Sequence, residues 1–294
     1  MAAVIATIAT LAACHRAPEK SADLWLGGDV NLGDAGKTQL QDIASMVQGA
    51  VGIVNLEGPV AERLPQDHLR LWNAVPALSE LSALNVRVAG IANNHAGDAG
   101  ADGQEQTARH LRDNGIVPAG GTAGVAFLPV NGMLVAVTEH DLTQKVPPNL
   151  EAELATARQH SDVLVASFHV TGPPSYLPRP ELQRAVEIAY HAGANVIVAH
   201  GTHALGPVER RSHAVIAWGL GNVVFACDCT QEEDAMLLRV TVQRDKAVSA
   251  EVLPLRAGID NRRAEPASEA NAIFDLLEAI GSSKLSRQEN RASF

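Results

Sequence analysis

A mixed α/β fold in four layers, with two mixed sheets packed face to face and helices outside (αββα), is what the sequence predicts. Three observations predict it. Short, mostly apolar, β-branched runs alternate with segments of helical periodicity through most of the chain. From about Gly124 a second pattern of paired, alternating strands joined by turn dipeptides is added. A chain of 294 residues that is 46% hydrophobic and 19% charged has ample apolar material for a large core, in one large domain or two small ones.

Taken in order, the opening run "MAAVIATIATLAAC" is too short for a stable membrane span but suits the apolar region of an export signal. Residues 1–22 are therefore expected to be a signal peptide and polar tether, with Cys14 as the lipidated first residue of the mature protein. "DLWLGGD", "VGIVNLE", "VRVAGIAN", "DVLVASFHV" and "NVIVAHG" are the five core strands, nearly continuous in apolar character as strands covered on both faces tend to be. "DGQEQTARHLRDNG" and "RPELQRAVEIAYHAG" carry helical periodicity and end in glycine, a stop signal. "VAFLPV" and "MLVAVTEH" are joined by Asn-Gly, which predicts a hairpin. "AVIAWGLGNVVF", "AMLLRVTVQ" and "AVSAEVLPL" continue the strand pattern, with "RDK" as a tight turn. A main domain over 23–263 would be followed at 264–294 by the amphipathic helix "ASEANAIFDLLEAIG" and a polar tail expected to fray.

The formal net charge of -10 argues against a general nucleic-acid backbone binder, which needs Lys and Arg to neutralise phosphates. It also means that an anionic ligand would need a metal ion or a local group of arginines. Arg179, Arg184, Arg210 and Arg211 are nearest in sequence to the motif segments. Besides Cys14 the chain has Cys227 and Cys229, too few sulfurs for a structural zinc site and awkwardly spaced for a disulfide. They are expected to be free or partly buried thiols.

Every core strand ends in residues that hold metals or move protons: Asp29, then Asn55 and Glu57, then Asn94 and His95, then His169, then His200 and His203. Each has a local explanation of its own. Asp29 suits a helix cap, Glu57 a solvated turn, His169 a half-buried imidazole, and "GIANNHAGDAG" a glycine-rich turn. Five such coincidences are less economical than one site at the carboxyl ends of the strands, where open α/β sheets bind ligands. Carboxylates, a carboxamide and imidazoles without thiolate suit Mn, Fe or Zn. The surplus of candidates over one tetrahedral set points to two divalent ions, an arrangement suited to in-line displacement at phosphorus.

"GGDVNLG", "NLEGPV", "ANNHAGDAG", the strand ending in His169, "AHGTHALGPVE" and "GLGNVVF" resemble, in order and spacing, the bacterial CapA-type capsule-synthesis proteins. Those proteins are associated with poly-γ-glutamate production, and their fold is similar to calcineurin-like metallophosphoesterases. The resemblance runs from Asp23 to Phe225. It implies a metallophosphoesterase-like sandwich in which Asp29, Glu57, Asn94, His169, His200 and His203 ligate metal, Glu57 lies where the related enzymes have a bridging aspartate, and His95 protonates the leaving oxygen. Asp98 is our addition, as the carboxylate that orients His95. Two segments depart from the family. Gly201 stands where a histidine is usual, and "HVTGPPSY" replaces a stretch that normally carries a tryptophan and an acid.

The resulting expectation is a capsule-biosynthesis protein of the bacterial cell envelope, anchored by lipid, with a di-metal hydrolase site for phosphoesters. The alternative is a non-catalytic component that tethers or exports an acidic polymer such as poly-γ-glutamate. Expected partners are the anionic substrate or polymer, the membrane through Cys14, and capsule-synthesis membrane proteins; nucleic acid is not among them.

Overall fold

The core strands lack a polar face because both of their faces are covered, and β-branched residues at consecutive positions keep them extended. The structure, a computed structural model, describes residues 20–34, 38–62, 70–227, 230, 232–243 and 248–294. Its first half contains β1 (Ser21–Asn31), β2 (Val51–Leu56), α1 (Leu78–Ala83), β3 (Val86–Gly90), α2 (Gly103–Asp113), β4 (Val117–Ala119), β5 (Ala126–Val130) and β6 (Met133–Asp141). There follow α3 (Leu150–Gln159), β7 (Val163–His169), α4 (Pro180–His191), β8 (Val196–His200), β9 (Val208–Arg211) and β10 (Ala214–Ala217). The last main elements are β11 (Asn222–Phe225), β12 (Asp234–Gln243), β13 (Ser249–Arg256) and α5 (Ala270–Ala279). The export signal, Cys14, Cys229 and the "RDK" turn lie outside the described residues.

Two mixed sheets form. In the first the order is β13-β12-β1-β2-β3-β4, parallel from β1 to β4 and antiparallel at β12 and β13. In the second the order is β9-β10-β8-β7-β6-β5, parallel from β10 to β6 and antiparallel at both edges. Leu24, Leu26 and Val88 of the first sheet meet Val137, Val165 and Val198 of the second in one inter-sheet core. The outer face of the first sheet is covered through Ile43, Leu78, Leu81 and Leu111, and that of the second through Leu150, Leu154, Leu182 and Val186. The layers are thus α/β/β/α, as the sequence predicts. The Asn131-Gly132 turn between β5 and β6 has both residues at positive φ, 47° and 78°, as a two-residue hairpin turn requires.

Three expectations change. "AVIAWGLGNVVF" is not one strand: β10 belongs to the second sheet, and after Trp218–Gly221 the chain crosses to enter the first as β11. The tail is not frayed, because Ala292–Ser293 pairs with Ser286–Arg287 and with Glu251–Val252 of β13. Ala292 is fully buried there, and burial of its methyl and backbone bonding outweigh the tail's polar composition. Cys227 is disulfide-bonded, which corrects the reading of free thiols.

The double glycine before Asp29 serves this architecture. Residues Ser21–Leu26 of β1 pair antiparallel with β12, whereas Asp29–Asn31 pair parallel with β11, and the register breaks between them. At that break the Gly221 carbonyl oxygen comes so close to Gly28 that a Cβ would lie 1.8 Å from it. The same oxygen accepts from the Asp29 N–H at 3.1 Å. Glycine is required by this close approach of two backbones, and the approach places Asp29 at the sheet edge.

Candidate metal centre

The carboxyl ends of β1, β2 and β3 in one sheet and of β7 and β8 in the other meet at one edge of the sandwich. Side chains from both sheets are hydrogen-bonded there. Asn55 Nδ2 donates to Asp29 Oδ1 at 2.7 Å and lies 3.3 Å from His169 Nδ1. His169 Nε2 is 2.6 Å from Asn94 Oδ1, and the Gly201 N–H donates to Asp29 Oδ2 at 2.9 Å. Asp29, Glu57, His169 and His200 are all buried.

Local conformation sets several of these groups. Gly201 has φ of 88°, and a Cβ on it would lie 2.6 Å from His169 Nε2, so no larger residue fits this turn without moving His169. His203 adopts φ of 55°, uncommon for a non-glycine residue and frequent at functional sites. That turn brings His203 Nδ1 to 3.3 Å from Asp29 Oδ2 and 2.8 Å from Asn222 Oδ1. After β3, successive tight turns run from Asn93 to Gly103, bonded 93 to 96, 95 to 98, 97 to 100 and 100 to 103. The expected turn is present, and it also presents Asn94 to His169 and pairs His95 Nδ1 with Asp98 Oδ2 at 2.8 Å. Asp98 Oδ2 accepts from the Leu71 N–H as well, which fixes the carboxylate. The far nitrogen of His95, Nε2, lies 3.9 Å from Glu57 Oε1.

Asp29, Glu57 and His203 each offer a ligand atom, and these atoms lie within 4.8 Å of one another. Asn94 and His169 face each other beside this group, and His169 is tied to Asp29 through Asn55. His200 is next to His169 in register, with Nε2 turned toward Ser167 Oγ at 2.9 Å. His95 and Asp98 stand at the more exposed margin, with side chains 24% and 17% accessible.

The electrostatics suit a cation. Burial alone would raise the Asp29 carboxyl, yet its hydrogen bond and charge contact with His203 hold it well below the usual carboxylate range. Burial, and then the Asp29 charge, push Glu57 up to about 8. Burial would lower His203, but Asp29 raises it to about 9. Burial lowers His169 to about 4 and lowers His200, which keeps both imidazoles neutral. His203 thus balances Asp29, Glu57 is left without a counter-charge and is largely protonated at neutral pH, and Glu57 Oε2 and His200 Nδ1 are buried with no hydrogen-bond partner among the described residues. Orphaned oxygen and nitrogen lone pairs around adjacent acids fit a divalent ion with mixed O/N ligands.

Some residues escaped the sequence reading. Asn93 donates to Asn55 Oδ1 and to the Leu56 carbonyl, Asn222 braces His203, and Ser167 and Glu139 lie behind His200. Asn93, in "ANNHAGDAG", and Asn222, in "GLGNVVF", stood in motifs that marked them, though without these roles. Of the candidate arginines, Arg211 is paired with Glu209 and Glu187, and Arg210 donates to the Phe294 and Val248 carbonyls. Both are engaged in holding the second sheet's edge and the tail.

Fold and site together define an α/β sandwich with a buried carboxylate–imidazole group at its strand ends. Residues 23–227 match the family described as bacterial capsule synthesis protein PGA_cap, and the chain belongs to that family. It is 27% identical over 239 residues to the PGA biosynthesis protein CapA of Bacillus subtilis strain 168, covering 72% of this chain and 62% of that protein. To the capsule biosynthesis protein CapA of Bacillus anthracis it is 24% identical over 193 residues, covering 57% of this chain and 47% of that one. The chain therefore spans less than two thirds of either relative. Among solved structures, a hypothetical protein from Thermus thermophilus aligns at a TM-score of 0.45 and 11% identity, over 83% of this chain and 98% of that one.

Proposed function

We propose that this protein is a divalent-metal hydrolase of the capsule-synthesis family, acting on phosphoesters or a related anionic bond at the bacterial cell envelope. One observation carries the reading: Asp29, Glu57 and His203 offer ligand atoms within 4.8 Å of one another, with the His95–Asp98 pair at their margin. Asp29, Glu57 and His203, with Asn94, His169 and His200 beside them, would hold one or two ions of Mn, Fe or Zn. When bound, such ions supply an activated water and neutralise charge developing on the substrate. Asp98 accepts the Nδ1–H of His95 and so turns Nε2 toward Glu57, the side from which a leaving oxygen would take its proton. The overall charge of -10 leaves the recognition of an anion to the metal. No helix among the described residues is long and apolar enough to cross a membrane; attachment to the envelope would be through lipidation at Cys14, at the end of the apolar run "MAAVIATIATLAAC". Capsule-synthesis membrane proteins would then be its neighbours.

The test is direct. The chain without its first 19 residues, which leaves β1 whole, is loaded with Mn and assayed on aryl phosphate mono- and diesters. His95→Ala should lower turnover about a hundredfold or more at unchanged metal content. If wild type binds metal and turns over nothing, as His95→Ala does, the second reading takes over. In that reading, which the likeness to PGA and capsule biosynthesis proteins supports, the same metal holds an acidic polymer without cleaving it. For the anchor, Cys14→Ser should release the protein from the membrane fraction, and unchanged partitioning counts against lipidation.

A further inference from the structure

Behind His200, away from the acids, a polar chain runs into the inter-sheet core. His200 Nε2 is 2.9 Å from Ser167 Oγ, and the Ser167 hydroxyl donates to Glu139 Oε2 at 3.3 Å. Ser167 is 1% and Glu139 3% exposed, so water does not supply these bonds. Room for the carboxyl is made by the opposite sheet: a Cβ on Gly90 would lie 1.3 Å from Glu139 Oε2. None of these groups touches the Asp29–Glu57–His203 set directly, and burying an acid in such a core costs free energy unless it serves something.

We propose that Glu139 and Ser167 are positioning residues that fix the proton of His200 on Nε2 and so leave its Nδ1 as the lone pair offered to metal. The bond polarity follows from proton counting. A serine hydroxyl has one proton, and it goes to the carboxyl oxygen; Ser167 Oγ is then an acceptor, and His200 must donate to it through Nε2–H. In the neutral imidazole the other nitrogen is then bare, and Nδ1 is the buried atom of His200 with no hydrogen-bond partner among the described residues. Burial pushes the Glu139 carboxyl well above the usual carboxylate range; ionised, or with its proton on Oε1, it accepts from Ser167 through Oε2, whereas a proton on Oε2 would reverse the chain and give the Nδ1–H tautomer. Carboxylate–imidazole–metal relays of this kind orient ligands in metal sites generally, here with a hydroxyl interposed.

The inference rests on the metal reading of the site, and two measurements separate them. Long-range nitrogen–proton NMR on metal-free, ¹⁵N-histidine-labelled protein, assigned with His200→Ala, should find His200 as the Nε2–H tautomer. In Ser167→Ala that preference should be lost, and in Ser167→Thr it should return. Titration with Mn²⁺ should show affinity about ten- to a hundredfold weaker in Ser167→Ala and Glu139→Ala and near wild type in Ser167→Thr. An Nδ1–H tautomer in wild type, or undiminished affinity in both variants, overturns the proposal. A wild type that binds no metal overturns the reading on which it rests, and the tautomer result then judges the hydrogen-bond chain by itself.

Discussion

The two sheets bring different chemistry to the same edge. The first contributes charge: Asp29 and Glu57 follow one another on adjacent parallel strands, and Asp29 is held by Asn55, Gly201 and His203. The second contributes neutral imidazoles, His169 and His200, whose burial keeps them unprotonated and whose partners are uncharged side chains. The acids would repel without a cation, and His203, carried on the turn after the second sheet, balances only one of them. A site that is half charge and half neutral lone pairs offers the donor set that a divalent ion takes.

Substitutions on the two sides should therefore differ in size. The largest effect is expected for Asp29→Ala, which strands the His203 cation and removes the acceptor of Asn55 and of the Gly201 N–H. Urea denaturation of the metal-free protein should register a loss of about 3 kcal/mol. His169→Ala, on the neutral side, removes hydrogen bonds and packing but no charge partner, and should cost about 2 kcal/mol in the same measurement. Equal losses would erase the distinction between the sheets.

Glu57 should behave in the opposite way, and its sign depends on pH. Its folded pKa, about 8, lies above the ordinary value of 4.5, so its contribution is present at low pH and is lost as pH rises toward 8. His203, raised from 6.5 to about 9, likewise contributes below 6.5 and loses that contribution through 9. His169, lowered to about 4, gains its contribution as pH rises from about 4 to 6.5 and keeps it above 6.5. Between pH 6.5 and about 8 the first two act together, His203 continues alone to about 9, and the melting temperature of metal-free protein should fall across the whole range. Glu57→Gln removes the Glu57 titration, so its advantage over wild type should grow from pH 6.5 to about 8, by about 1.4 kcal/mol for each pH unit, and then level off. A melting temperature that rises over the same range would contradict the charge assignments. The smallest effect on stability is expected for His95→Ala, within about 0.5 kcal/mol, because that ring is partly solvated and its role lies in turnover.

How much of this was legible in the sequence follows from where the residues lie. Asp29, Glu57, Asn94, His169, His200 and His203 could be found because each interrupts an apolar run at its end, where polarity stands out. Glu139 and Ser167 could not, since each lies inside a strand whose other residues are largely buried, and only the facing Gly90 explains how an acid fits there. The strands themselves were visible, but their division between two sheets was not. The crossing after Ala217 depends on the meeting of Gly28 and Gly221, nearly two hundred positions apart, which no local pattern encodes. The docked tail was missed for a related reason: its two-residue strands are too short for periodicity, and pairing with β13 holds them.

The most direct test of the central claim, that strand ends from both sheets build one metal centre, is calorimetric titration of Mn²⁺ into metal-depleted protein, with Asp29→Asn and His203→Ala alongside. The account predicts saturable binding to wild type that is lost in both variants, one on each side of the edge. Absence of binding to wild type, or binding undiminished in both variants, would contradict it.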